Sequence, residues 1–229
     1  MATLRELTYM VLDELKLSSD DSYFNEEHIR FLIGKYRGLL LTQLYKDVKK
    51  EIAESNLQTI SVNLEEVPAI SGVCCEGGTF LKTVDKIPFL MSISTPRIYV
   101  DDFYNTEISY VSRERMKYVG NNKWLLNAIY ASMGPDNYIY LKSSNPNFTT
   151  FLNTINITGI FEDPELVNSI NNTEEDIMDS PYPLEEGLIP QVIEAVVKSL
   201  ITPKYSPEDN ANNAKDNLPE MVTQSKKNG

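Results

Sequence analysis

The apolar residues of this chain change their spacing twice, and that change fixes the fold class. Leu4, Leu7, Val11 and Leu15 recur at helical spacing, as do Ile29, Leu32, Ile33, Tyr36, Leu40 and Leu44. From Asn56 the period drops to two: Ile60, Val62 and Leu64 alternate with polar residues, and "TINITGIF" (154–161) alternates again. Leu188, Val192, Val196 and Leu200, echoed one position on by Ile189, Ile193 and Val197, restore the helical period with a broad apolar face. A chain that reads helix, strand, helix is α+β. We expect an N-terminal antiparallel helix pair and a returning C-terminal helix forming a bundle, a central β-rich domain, and an extended C-terminal tail. The divisions are 1–56 (bundle, first part), 57–161 (β-rich domain), 162–203 (linker and bundle helix) and 204–229 (extended or disordered tail).

Local signals sharpen this outline. Thr3 and Glu6 have capping-box spacing, and Asn25 precedes Glu26 and Glu27 as a helix cap should, with Phe24 and Ile29 at staple positions. "CCEGGTF" (74–80) reads as a turn or loop, and "IPFLMSI" (87–93) and "PRIYVDDFYN" (96–105) as short strands. Ser112 opens a short helix that Gly120 closes. "WLLNAIYASM" and "YIYLKSS" flank Gly134-Pro135-Asp136-Asn137, a hairpin with strong turn chemistry. Pro164 suits the first turn of a short helix, and Pro203 ends the last one. The Asn-rich stretch that follows has few apolar residues and alone is expected to be extended or disordered, with a neighbour able to order it.

The net charge of −12 is unevenly placed: residues 161–229 hold 5 basic against 14 acidic residues, three quarters of the excess. Phosphate-gripping proteins carry a basic stripe, and none is visible. An acidic surface suits solubility, and it also suits a passage that DNA must not adhere to. The two cysteines, Cys74 and Cys75, are neighbours; a bridge between them would be strained, so they read as reduced. "MATLRELTYM" lacks a basic region followed by an apolar run, so no secretory signal is expected. No stretch approaches the length of apolar residues that spans a membrane.

Residues able to run a reaction are missing from the pattern. His28, the one histidine, sits near a helix start, where a solvated residue is the better reading than a base or metal ligand. The acidic clusters Asp101-Asp102, Asp163 with Glu165, and Glu174-Glu175-Asp176 would have to converge on one point to serve a metal-dependent hydrolase; solvated surface is the better reading. Nucleophile-elbow, phosphate-loop and dinucleotide fingerprints are missing, and Gly77-Gly78 is too short a cradle. We expect no enzyme, no cofactor and no metal. "SRERMKYVGNNKWLL" (112–126) interleaves basic and aromatic residues but reads as a surface helix leading into a strand rather than a single-strand binder.

One helical face does stand out. Gly34 and Gly38 lie one turn apart, and each costs a helix interior about 1 kcal/mol. Keeping both implies that another backbone comes close, either in a second subunit or in the first helix of the same chain. Arg30 and Arg37 flank them two turns apart, placed to pair with acidic groups of a neighbour. Arg30, Gly34, Arg37, Gly38 and Tyr205 are the candidate subunit-interface residues.

Three stretches carry a family resemblance: "TLRELTYMVLDEL" with "NEEHIRFLIGKYRGLLLTQ", then "YVGNNKWLLNAIYASMGPDNYIYLKSSNP", then "YPLEEGLIPQVIEAVVKSL". The layout resembles bacteriophage head-to-tail adaptors, in particular the ring proteins of crAss-like phages that dock beneath the portal. Podovirus tail tubular protein A is similar in element order. The resemblance implies a structural virion protein of the neck or tail, assembled in the host cytoplasm. It implies a homo-oligomeric ring, commonly of twelve subunits, joining the portal to the next tail component around passing DNA, without sequence-specific contact and without a membrane. It supplies no active site. A tail completion protein distal to the adaptor, or a small metal-dependent hydrolase, are the alternatives.

Overall fold

The computed structural model describes residues 2–18, 24–46, 51–68, 79–93, 95–100, 106–119, 123–125, 127–145, 147–171 and 178–201. Helix α1 (Leu4–Ser18) starts on the capping box: Thr3 N donates to Glu6 Oε2 at 2.9 Å and Glu6 N to Thr3 Oγ1 at 3.2 Å. Helix α2 (Glu26–Leu44) starts on Asn25, whose Oδ1 accepts from Glu27 N at 2.9 Å. The long C-terminal helix, Ile189–Ile201, packs its apolar face on both. Leu7, Val11, Leu15, Ile29, Ile33, Leu41, Val192 and Val196 form their common core.

The centre is a seven-stranded closed barrel: β1 (Gln58–Pro68), β2 (Thr79–Thr83), β3 (Arg97–Tyr99), β4 (Glu107–Tyr110), β5 (Ile129–Met133), β6 (Ile139–Ser143) and β7 (Thr154–Gly159), in the order β1-β2-β6-β5-β4-β3-β7. The register lines one side chain after another into the lumen. Ile60 faces Ile157, Ile157 faces Ile98, Ile98 faces Ile108, and Ala131 faces Leu141, which faces Leu81. All seven are buried, so the barrel is a packed core rather than a channel. Closure leaves no unpaired edge.

β4 and β5 run parallel, which demands a long crossover. The single-turn helix α3 (Arg113–Met116) and a 3₁₀ turn at Lys123–Leu125 supply it. The β5–β6 hairpin turns at Gly134–Asn137, with Gly134 N donating to Tyr138 O at 2.8 Å and Asn137 in the left-handed region at φ 64°. Helix α4 (Phe148–Phe151) precedes β7, and α5 (Pro164–Ile170) follows it, capped by Asp163 with Pro164 in its first turn. The C-terminal helix is therefore α6.

Several expectations need correction. "IPFLMSI" is not a strand: Pro88 lacks a donor, and only Leu90 makes a bridge, with Phe161. Thr79 and Phe80, read as loop, belong to β2. The helix from Ser112 is a single turn, Arg113–Met116, shorter than the stretch to Gly120, and Ser112 gives it no side-chain cap. Gly120, Cys74, Cys75, Pro203 and the Asn-rich tail lie outside the described residues. No described helix is long and apolar enough to cross a membrane.

Candidate functional site

Helix α2 presents two faces with different tasks. One carries Ile29, Ile33 and Leu41 into the helical core, and Arg37 with them. Arg37 is fully buried. Its Nε donates to Pro183 O at 2.8 Å, its Nη1 to Phe161 O at 3.0 Å and its Nη2 to Asn56 O at 3.5 Å. Asn56, also buried, accepts from Glu185 N at 2.9 Å and donates to Tyr45 Oη at 3.3 Å. The guanidinium carbon lies 5.8 Å from the centre of the Tyr182 ring. Burial pulls the Arg37 pKa below its ordinary value and pushes the Tyr182 phenol up to about 12, the nearby guanidinium opposing the latter. One side chain thus ties α2 to the barrel exit at Phe161 and to the segment that leads into α6.

The opposite face of α2 forms one wall of an open groove of about 1310 Å³. Gly34 and Gly38 are its floor, and Phe31 and Leu39 rise beside them. The facing wall is the segment after β2, held by backbone bonds: Ile87 N to Asn137 O at 2.8 Å, Met91 N to Ile160 O at 2.9 Å, and Glu162 N to Phe89 O at 2.9 Å. Phe89 and the first turn of α5, with Leu166, complete the rim. Phe31 is 65% exposed and Phe89 60%, values that mark an uncovered apolar patch rather than a core.

The glycines leave room. A Cβ at Gly34 would meet only Tyr182 Oη, at 3.9 Å, and one at Gly38 only Met91 Cε, at 3.6 Å. The close backbone expected from the sequence is absent among the described residues, and helix α1 is not what they face.

Charge on the groove is divided. Arg30, Lys35 and Lys86 are basic; Glu162, Asp163 and Glu165 line the α5 side. Asp163 is occupied as a cap, its Oδ1 accepting from Glu165 N at 3.1 Å and Leu166 N at 3.2 Å. Partial burial raises the Glu165 pKa, with Arg30 opposing and Asp163 adding to the rise.

Of the sequence candidates, Arg30, Gly34 and Gly38 come together in the groove. Arg37 does not: it points into the core, where carbonyls 19, 124 and 146 residues away along the chain satisfy it. Tyr205 lies outside the described residues, as do Asp101, Asp102, Gly77, Gly78 and Glu174–Asp176. His28 is exposed and stacks on Phe31 with centroids 6.4 Å apart. Among the described residues no group of three or more His, Cys, Asp or Glu is arranged to hold a metal. The sequence reading missed the rim. Phe31 and Leu39 were legible, since helical spacing puts them beside the glycines; Phe89 was not.

Comparison with known proteins gives this arrangement its context. A family described as phage tail ring protein 2 matches residues 6–218. Ring protein 2 of Bacteroides phage crAss001 is 51% identical over 223 residues, covering 95% of this chain and 99% of the relative. The barrel, the groove and all the helices but the first two residues of α1 fall within the family match, and the chain belongs to the phage tail ring protein 2 family.

Proposed function

We propose that the chain is one subunit of a non-enzymatic ring of twelve identical copies that joins the portal to the next tail component around the DNA channel. A structural role in the virion tail or neck comes with the family. The finer placement rests on the full-length likeness to a protein named for a ring, together with an uncovered apolar groove in place of a reactive pocket. In this reading residues 1–56 and 162–203 act as a bundle, with α1 and α2 antiparallel, that holds the ring. Residues 57–161 meet the next component, and 204–229 extend to a neighbour. The acidic last third lowers DNA adhesion where it faces the bore. Assembly takes place in the host cytoplasm.

Mass measurement of the purified chain, alone and with portal rings of the same phage, tests this. A twelve-fold complex is expected in at least the second case; a chain that stays monomeric beside portal rings refutes it. The word "tail" in the family description also fits a ring distal to the adaptor. Locating the subunit in the neck of the virion by cryo-EM separates the two positions.

A further inference from the structure

We infer that the groove on α2 is one half of the contact between neighbouring copies, and that its occupant is the outward face of α1 of the next copy. The inference rests on the ring reading above and names the surfaces that build it.

A ring of identical subunits needs a heterologous contact: two different patches on one chain, facing apart. The groove is one patch, on the face of α2 turned away from the helical core. Nothing among the described residues explains its glycines, because both positions have space there for a methyl group that would strengthen the helix. A floor without side chains is what lets a second helix approach closely.

The outward face of α1 is the matching patch. Its inward residues Leu4, Leu7, Val11 and Leu15 are buried, whereas Tyr9 is 53% and Leu17 89% exposed, with Met10 beside them. The lengths agree. The α2 wall from Glu27 to Gln43 spans about 24 Å, and the 15-residue α1 about 22 Å. The charges agree as well. On the outward side of α1, Arg5 is bridged to Asp179 at 2.8 Å and Lys16 to Asp13 at 3.6 Å, so that Glu6 and Glu14 leave this face net acidic. The α2 wall, with Arg30 and Lys35 against Glu27, is net basic and so complements that face.

Of the other exposed apolar residues, among them Val84, Tyr118 and Phe151, the pair Trp124 and Leu125 belongs elsewhere. It leads into β5 at the barrel end remote from the Gly134–Asn137 turn that touches the groove.

Disulfide trapping in full-length chain tests this, in a Cys74→Ser, Cys75→Ser background, alone or on portal rings. With Met10→Cys and Leu39→Cys in one chain, oxidation is expected to give a ladder up to the full ring. Mixed single variants are expected to stop at dimers. Gly34→Leu fills the floor and is expected to abolish ring formation while its melting temperature stays at or above that of the unaltered chain. Trp124→Ser is expected to leave rings intact. Rings that form with no Met10–Leu39 bridge, or that tolerate Gly34→Leu, overturn the assignment while the ring reading stands. A chain ended after Pro203 that loses the ring, with no Met10–Leu39 bridge in the full-length chain, assigns the groove to the C-terminal segment and overturns it likewise. If the unaltered chain forms no ring even with portal present, the ring reading itself fails.

Discussion

Replacing Arg37 with methionine keeps the aliphatic stem and removes every donor. Two short bonds are lost, to Pro183 O at 2.8 Å and Phe161 O at 3.0 Å, with a longer one to Asn56 O at 3.5 Å. The carbonyls stay buried, and each orphaned acceptor costs about 1–3 kcal/mol. Relief from burying a cation offsets part of this. The net loss is then about 2–4 kcal/mol. At about 2–4 °C per kcal/mol for a chain of this size, the melting temperature falls by roughly 4–16 °C. Arg37→Lys should fall between, since an ammonium reaches fewer of the three carbonyls than the planar fork does. Thermal melts of the isolated chain followed by circular dichroism measure both. A methionine variant that melts within 1 °C of the parent, yet fails to assemble, would show that Arg37 serves a neighbour, as the sequence alone led us to expect, and would refute the internal joint.

Four further outcomes follow from the same structure. Gly34→Ala with Gly38→Ala should raise the stability of the isolated subunit by about 1–2 kcal/mol in urea melts, because both methyl groups have room. The buried phenol of Tyr182 holds its proton to about pH 12, above an ordinary tyrosine, so the folded state binds more protons than the unfolded one between about pH 10 and 12 and loses about 3 kcal/mol across that range; Tyr182→Phe should flatten the alkaline slope. Burial raises the Glu165 pKa, so the native state loses stability as pH rises from the ordinary carboxylate range through the raised value. Glu165→Gln should therefore melt higher than the parent at neutral pH, with the difference closing in acid. Ser132 Oγ is buried without a hydrogen-bond partner among the described residues, so Ser132→Ala should leave stability unchanged or raise it by about 1 kcal/mol in the same urea melts.

Much of the local structure was legible because it rests on neighbours in sequence. Thr3 and Glu6 close their box three residues apart, Asn25 caps two residues on, and Gly134–Asn137 turns a hairpin between adjacent strands. Barrel closure was not legible. It depends on β7 pairing with β1 and with β3, and β3 has three residues, too few for alternation to register. "IPFLMSI" misled for the opposite reason: its apolar residues are many, but Phe89 faces the groove and Met91 faces Gly38, so their pattern reports two contacts rather than a pleat. Arg37 misled most. A charged residue on a helix reads as free for solvent or for a neighbouring subunit, and nothing near it in sequence hints that carbonyls of Asn56, Phe161 and Pro183 converge on it.

The same convergence bears on how the surface works. The groove takes one wall from α2 and the other from the segment between β2 and β3 with the start of α5, elements of two separate cores. Such a groove keeps its shape only if the cores hold a fixed relation. Arg37 supplies that tie, bridging α2 to Phe161 at the barrel exit, and the bonds of Met91 to Ile160 and of Glu162 to Phe89 fix the facing segment to the same exit. A surface held in this way loses little conformational freedom when it is covered, so more of the apolar contact energy of Phe31, Leu39 and Phe89 appears as affinity. Loosening the Arg37 joint should then weaken assembly more than the lost stability alone accounts for, although no atom of Arg37 lines the groove.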